Sequence, residues 1–284
     1  MLEAYMDESY KNGRVMCVGG WLCEKKTWKD IESKWAVRIQ YERRMSERKG
    51  FPPISRYHAT DCASLRREFD RSKGWDEDRQ IRFVKKLIDI IGEIRPIGIA
   101  VGCSLDDTRK VFGSHQEAET WAYRICMMWC MDLIGELIDE HWSGEKVDFF
   151  HEQSDRFNSV AQSAFKAMAA NDSPHRKYFS SMTPVRWQDH VATQPADMLA
   201  FEAFKVINLD IASGEHLGDE PTDTEKMRKS LQSIIGKRVP LRVRYYTERI
   251  FPEVEKRKKN AARRDQLMMT AAQLLGVNAT KEKL

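Results

Sequence analysis

Several absences narrow the reading first. The six cysteines, Cys17, Cys23, Cys62, Cys103, Cys126 and Cys130, form no Cys-x-x-Cys pair. They therefore read as reduced core residues, with a packed pair at Cys126 and Cys130, and point to a cytoplasmic setting. No secretory leader is expected, because the first residues carry two acids and no long apolar core. The longest apolar run, Ile125 to Ile138, is interrupted by Asp132 and Glu136 and is too short to span a bilayer. There is no internal repeat, no glycine-rich phosphate loop, no dinucleotide glycine fingerprint and no defensible Ser-His-Asp order. Nucleotide-cofactor chemistry and triad hydrolysis thus have no sequence support.

What remains is a chain of 284 residues, 42% hydrophobic and 32% charged, enough for one large domain with an appendage. Its net charge of +4 conceals an asymmetry. Residues 226–284 hold 16 Lys and Arg against 5 Asp and Glu, a net of +11, so the first 225 residues carry −7. An acidic body bears a basic tail.

Leu2 to Tyr10 alternates apolar and polar residues, the period of a strand, and the Asn12-Gly13 pair predicts a hairpin into a second strand, Arg14 to Glu24. A helix is expected over Lys26 to Glu47, standing off the sheet on Trp28, Ile31, Trp35, Ile39 and Met45. A second follows Trp75 and runs to Gly92, with Ile81, Val84, Leu87, Ile88 and Ile91 inward. Ile94 to Ser104 reads as a strand buried on both faces, and Ser114 as the cap of a long helix, His115 to His141, striped by Trp121, Ile125, Met128, Leu133, Leu137 and Ile138. Lys146 to Glu152 is the fourth strand, Asp155 opens a helix to about Ala170, Tyr178 to Gln188 is a strand broken by Pro184, and Gln194 to Leu209 is a helix. A hairpin followed by crossovers predicts an α/β layer with a mixed sheet flanked by helices. The expected organisation is a domain at 1–212 with a helical insertion at about 25–93, a linker at 213–225 and a basic, mainly helical appendage at 226–284.

Acids recur at strand ends and a helix start. Asp7 and Glu8 close the first strand, Glu152 closes the fourth with Asp155 behind it, and Asp197 lies in the first turn after Gln194-Pro195-Ala196. If the first and fourth strands are neighbours, Asp7, Glu152 and Asp197 converge and can hold Mg²⁺ or Mn²⁺, since hard cations take oxygen ligands. Such a centre suits phosphodiester hydrolysis without a nucleophilic side chain. Plainer roles compete: a solvated turn at Asp7-Glu8, a helix-dipole partner at Asp197, an N-cap at Asp155 or Asp61, and turns at Asp106 and Asp107. Strand alternation favours Glu152 over His151, with Asp155 second. His58 is a metal ligand, a proton carrier or a structural residue.

The motifs Tyr5-Met6-Asp7-Glu8-Ser9, Tyr57-His58-Ala59-Thr60-Asp61 and Gln194-Pro195-Ala196-Asp197-Met198-Leu199-Ala200 together resemble the bacterial and phage family termed domain of unknown function 3800, over roughly residues 2–210. The resemblance implies a ribonuclease H-like fold and presumed metal carboxylates at Asp7, Glu152 and Asp197. Glu8, His58 and Gln194 match polar positions, with Glu8 and His58 orienting ligands or moving protons. Two departures stand out: Arg56-Tyr57 where many relatives carry an acid before the histidine, and Pro195 where an apolar residue is commoner, although Pro suits a helix start.

The basic segment, through Arg242, Arg244, Lys256, Arg257, Lys258, Lys259, Arg263 and Arg264, is either a solvated face or a phosphate-contacting surface. The expectation is a divalent-metal-dependent nuclease acting on RNA or DNA. Its rivals are a non-catalytic nucleic-acid or protein-binding module on the same fold and a metal phosphohydrolase of small nucleotides.

Overall fold

The computed structural model describes residues 1–11, 14–170, 174–213 and 241–246. Six strands form one mixed sheet: β1 (Leu2–Lys11), β2 (Val15–Glu24), β3 (Ile97–Ser104), β4 (Val147–Glu152), β5 (Phe179–Val185) and β6 (Leu241–Tyr246), in the order β5-β4-β1-β2-β3-β6. β1 pairs antiparallel with β2, and β2 antiparallel with β3, whereas β1–β4, β4–β5 and β3–β6 are parallel. The helices are α1 (Lys25–Arg48), α2 (Ala59–Ala63), α3 (Glu77–Ile94), α4 (Leu105–Phe112), α5 (His115–His141), α6 (Asn158–Ala170) and α7 (Thr193–Ser213).

The alternation seen in the sequence sorts β1 between two cores. Leu2, Ala4 and Met6 join Met16, Val18, Ile99, Val101 and Phe149 beneath α5 and α6. Tyr5 points the other way, with Trp21 and Cys23, into the layer of α1, α3 and α7. β3 is buried along its whole length, as its apolar run predicts. α5 begins with the expected Ser114 cap, completed by Glu117 as a capping box, so two orphan backbone donors are satisfied reciprocally. Pro184, which lacks an N–H, is accommodated because β5 is the outer strand on its side.

The helical segment between β2 and β3 does not stand off the sheet. Trp28 Nε1 donates to the Glu3 carbonyl at 2.9 Å and Trp35 Nε1 to Gln194 Oε1 at 3.1 Å, so α1 is pinned to β1 and α7 through buried indoles. Truncating either tryptophan should cost about 3–5 kcal/mol. A buried polar clamp joins α1 to α3: Glu42 pairs with Arg38 and with Arg79 at 3.0 Å, and Arg79 lies 4.1 Å over the Trp75 ring. The buried face of α3 uses Phe83, not Ile81, which is 61% exposed. Trp121 and Met128 sit at the margin of the α5 stripe, half-buried. All six cysteines are free and buried, with Cys126 and Cys130 thiols directed at the Met16 and Val18 carbonyls at 3.6 Å.

The segment 241–246, assigned from sequence to the appendage, is an edge strand in register with β3, Arg242 opposite Ile99 and Arg244 opposite Val101. α7 continues to Ser213, where the linker was expected to begin. The Asn12-Gly13 turn, residues 214–240 and residues 247–284, with Lys256, Arg257, Lys258, Lys259, Arg263 and Arg264, lie outside the described residues. Among the described residues no helix is long and apolar enough to cross a membrane.

Candidate functional site

β1 and β4 are parallel neighbours, and their last paired position is Met6 with His151. Asp7 and Glu152 are the next residues on each strand, so they lie side by side where the β1–β4 ladder ends; β1 itself runs on to Lys11, so Asp7 and Glu8 sit inside the strand and not at its end as expected. Alternation places Glu152 on the face of Phe150, which stacks on Tyr5 at 4.6 Å, whereas His151 turns into the opposite core with Phe149. The His151 imidazole is pushed down to about 4 by burial, with its Nδ1 3.1 Å from the Glu152 carbonyl.

α7 supplies the third acid. Its small residues Ala196, Ala200 and Ala203 recur at i, i+4 and i+7 and are all fully buried, which lets the helix lie close on the sheet. Gly19, opposite Asp7 across the hairpin, is where the approach is tightest: a Cβ there would stand 3.0 Å from Ala200 Cα. Trp21 Nε1 donates to the Pro195 carbonyl at 2.8 Å and fixes the start of the helix. Asp197, one turn before Ala200, is thereby carried to Asp7.

The middle motif closes the site. Gln194 Oε1 accepts from the Tyr57 N–H at 2.8 Å as well as from Trp35, which makes Gln194 a positioning residue. The Ala59 N–H then donates to Asp197 Oδ2 at 2.7 Å, and His58 pairs through Nδ1 with Asp61 at 2.9 Å. Asp61 therefore lies in the first turn of the short helix α2, where it was expected to cap a helix from outside. Arg56 Nη1 reaches Glu152 Oε1 at 3.0 Å, with its guanidinium 4.7 Å over the Trp187 ring. The sequence reading noted Arg56 only as a departure from an acidic pattern. Its contact with Glu152 joins segments 96 residues apart, and no local signal announces it.

The electrostatics follow from packing like charges where the β1–β4 ladder ends. Burial, then the charges of Asp197, Glu8 and Glu152, hold the Asp7 carboxyl well above its ordinary range, against the Glu8 N–H donated to Oδ1 at 2.8 Å. Glu8 is pushed up to about 8 by burial, Glu152 and Asp197. Burial raises Asp197 to about 6, while His58, the Ala59 N–H and Arg56 restrain it. Below β1, Tyr123 is buried with its phenol pushed up by burial and by Glu8 and Asp7.

Asp7, Glu152, Asp197 and His58 are thus brought together, with Glu8 next to Asp7 on β1 but alternating to the opposite face, whereas Asp155 is an exposed residue of the turn between β4 and α6. It does not cap α6, which begins at Asn158. The carboxylate oxygens fit a hard divalent cation chemically, whereas the Arg56 guanidinium on Glu152 opposes one. Among the described residues no three His, Cys, Asp or Glu side chains form a group that could hold a metal ion. Comparison with known proteins returned no matching family model, curated protein or solved structure.

Proposed function

We propose that this chain is a divalent-metal-dependent hydrolase of nucleic-acid phosphodiester bonds, on a ribonuclease H-like sheet of the domain of unknown function 3800 type. The observation that carries the reading is the convergence of Asp7, Glu152 and Asp197, with Glu8 adjoining on β1, whose mutual repulsion the Arg56 guanidinium on Glu152 does not relieve at Asp7 and Glu8. The mixed sheet, a hairpin extended by an antiparallel strand on one side and two parallel strands on the other, also supports it, because the mixed α/β layer is what the resemblance implies.

Asp7 and Asp197 would hold Mg²⁺ or Mn²⁺, with Glu152 joining when its bond to Arg56 opens. The bound cation would supply an activated water and charge neutralisation at the phosphate. The protein's own part is to fix Asp197 through the Ala59 N–H and to place His58 for proton transfer. The basic segment 226–284 would add phosphate contacts.

One observation favours a binding module instead: Arg56 already neutralises Glu152. A manganese-dependent cleavage assay on single-stranded and duplex RNA and DNA separates the two readings. Cutting by the full chain, lost in folded Asp7→Asn and Asp197→Asn, establishes the nuclease. Salt-sensitive binding without cutting, unchanged in both variants, establishes the binding module.

A further inference from the structure

Beside the carboxylates lies a cavity of about 360 Å³ bordered by His58, Thr60, Asp61, Arg66, Arg67, Ser9, Tyr10, Phe201 and Phe204. Two of these link it directly to the site: Ser9 follows Glu8 on β1, and His58 is the side chain that acts on Asp197. The size is at the small end of ligand pockets, which run from about 300 to 1,000 Å³. A single nucleotide fits this scale and a duplex does not.

Its lining is divided by chemistry. One wall is cationic. Arg66 and Arg67 are exposed, and Arg67 Nε lies 3.7 Å from Asp61 Oδ1. The backbone around them is unusual, since Leu65 and Arg67 both adopt positive φ, 49° and 52°. Non-glycine residues hold that conformation only where surrounding contacts impose it, and such strain gathers at binding sites. Here Arg66 N–H is tied to the Asp61 carbonyl at 3.0 Å and Leu65 N–H to the Cys62 carbonyl at 3.3 Å, and both arginines line the cavity. The other wall is aromatic, with the half-buried rings of Tyr10 and Phe201 and the more deeply set Phe204.

Cations beside partly exposed rings recognise an unpaired nucleotide: guanidinium takes the phosphate bidentately, and rings take a base face that is hidden in a duplex. A carboxylate-lined centre repels the phosphates it must approach, so neighbouring cations are needed to seat the strand. We propose that this cavity is a subsite for one nucleotide of a single-stranded nucleic acid, with Arg66 and Arg67 on the phosphate next to the bond to be cut. The proposal rests on the nuclease reading for the word "cut" but not for binding itself.

The test is fluorescence anisotropy of a short fluorescein-labelled single-stranded DNA, its RNA counterpart and a duplex, with the full chain in Ca²⁺ or EDTA over a salt series. Wild type is compared with Asp7→Asn, the double variant Arg66→Ala/Arg67→Ala and the charge-preserving Arg66→Lys/Arg67→Lys. The expected result is that the alanine pair weakens single-strand binding about tenfold and flattens the salt dependence by about one phosphate contact. Duplex binding should be unchanged, the lysine pair should keep the salt slope, and Asp7→Asn, which removes a carboxylate that repels phosphate, should bind the single strand at least as tightly as wild type. Wild-type single-strand affinity and salt slope in the alanine pair, with its circular dichroism intact, overturn the subsite. If wild type never cuts yet the alanine pair loses single-strand binding, the nuclease reading falls and the subsite stands.

Discussion

Gly19 and Ala200 meet backbone to backbone: a Cβ on Gly19 would lie 3.0 Å from Ala200 Cα, 3.1 Å from its nitrogen and 3.5 Å from Ala100 Cβ. The absent methyl group is what lets α7 rest on β2 opposite Asp7. Gly19→Ala should lift the helix by a few tenths of an ångström, cost about 1–3 kcal/mol and reduce turnover more than substrate binding. Urea melts with single-turnover cleavage would read both, and unaltered turnover at lowered stability would detach the glycine from the site.

The carboxylate cluster opposes stability for the sake of its charge. Asp7→Asn removes one repelling group and should stabilise the metal-free protein at about pH 8 by roughly 0.5–2 kcal/mol while abolishing metal-dependent cleavage. Thermal melts in EDTA measure the first effect. A loss of stability would mean that Asp7 is already compensated.

Raised folded-state pKa values also dictate a pH dependence. Asp197 at about 6 and Glu8 at about 8 lie above the unfolded carboxylate range, so they bind protons more tightly when folded. Their stabilising contribution is complete below about pH 4 and is lost as pH rises through about 6 and then about 8. Without metal, the melting temperature should fall across that window, less steeply in Glu8→Gln and Asp197→Asn. Mn²⁺ binds the ionised forms, so its stabilisation should grow with pH and its binding should release protons, measurable by calorimetry in buffers of different ionisation enthalpy.

Arg56 competes with a cation for Glu152 at 3.0 Å. Arg56→Gln should leave that carboxylate unpaired, lower metal-free stability and tighten Mn²⁺ binding several-fold, as a charge-assisted pair is worth about 1.5–3 kcal/mol. Weaker Mn²⁺ binding would show that Arg56 holds Glu152 in ligand geometry.

Gln194 accepts from both Trp35 and Tyr57 in the core. Gln194→Ala strands two buried donors and should cost about 2–4 kcal/mol in a denaturant melt. It should also weaken the hold of the Ala59 N–H on Asp197. A near-neutral effect would imply that water replaces the amide.

The mixed α/β sheet was legible because its signals are local. Alternation in β1, the unbroken apolar run of β3 and the Ser114 cap each act within a few residues. Glu152 is legible as a strand-end acid, whereas Asp7 lies inside β1 and Asp197 beyond the first turn of α7, because the hairpin ladder runs on to Lys11 and the helix starts at Thr193. Other features depend on contacts between distant segments. Arg56 on Glu152, Gly19 under Ala200 and Gln194 holding Tyr57 span 96 to 181 positions, and no periodicity encodes them. Ile81 was misplaced because a helix with apolar residues on several faces leaves its buried stripe open until partners choose it, and the rings of Trp75 and Phe69 chose Phe83. β6 was assigned to the tail because charged and aromatic residues in an edge strand mimic a basic helix flank.

Pro184 has a further effect at the outer side of β5. A strand at the margin of a sheet is a template on which another chain can polymerise, and its row of amide donors supplies the hydrogen bonds. A proline in that row removes one donor and sets a rigid ring in the path of an incoming backbone. Copies of this chain are therefore impeded from fusing edge to edge at β5, a protection against fibre growth that a Pro184→Val substitution would remove.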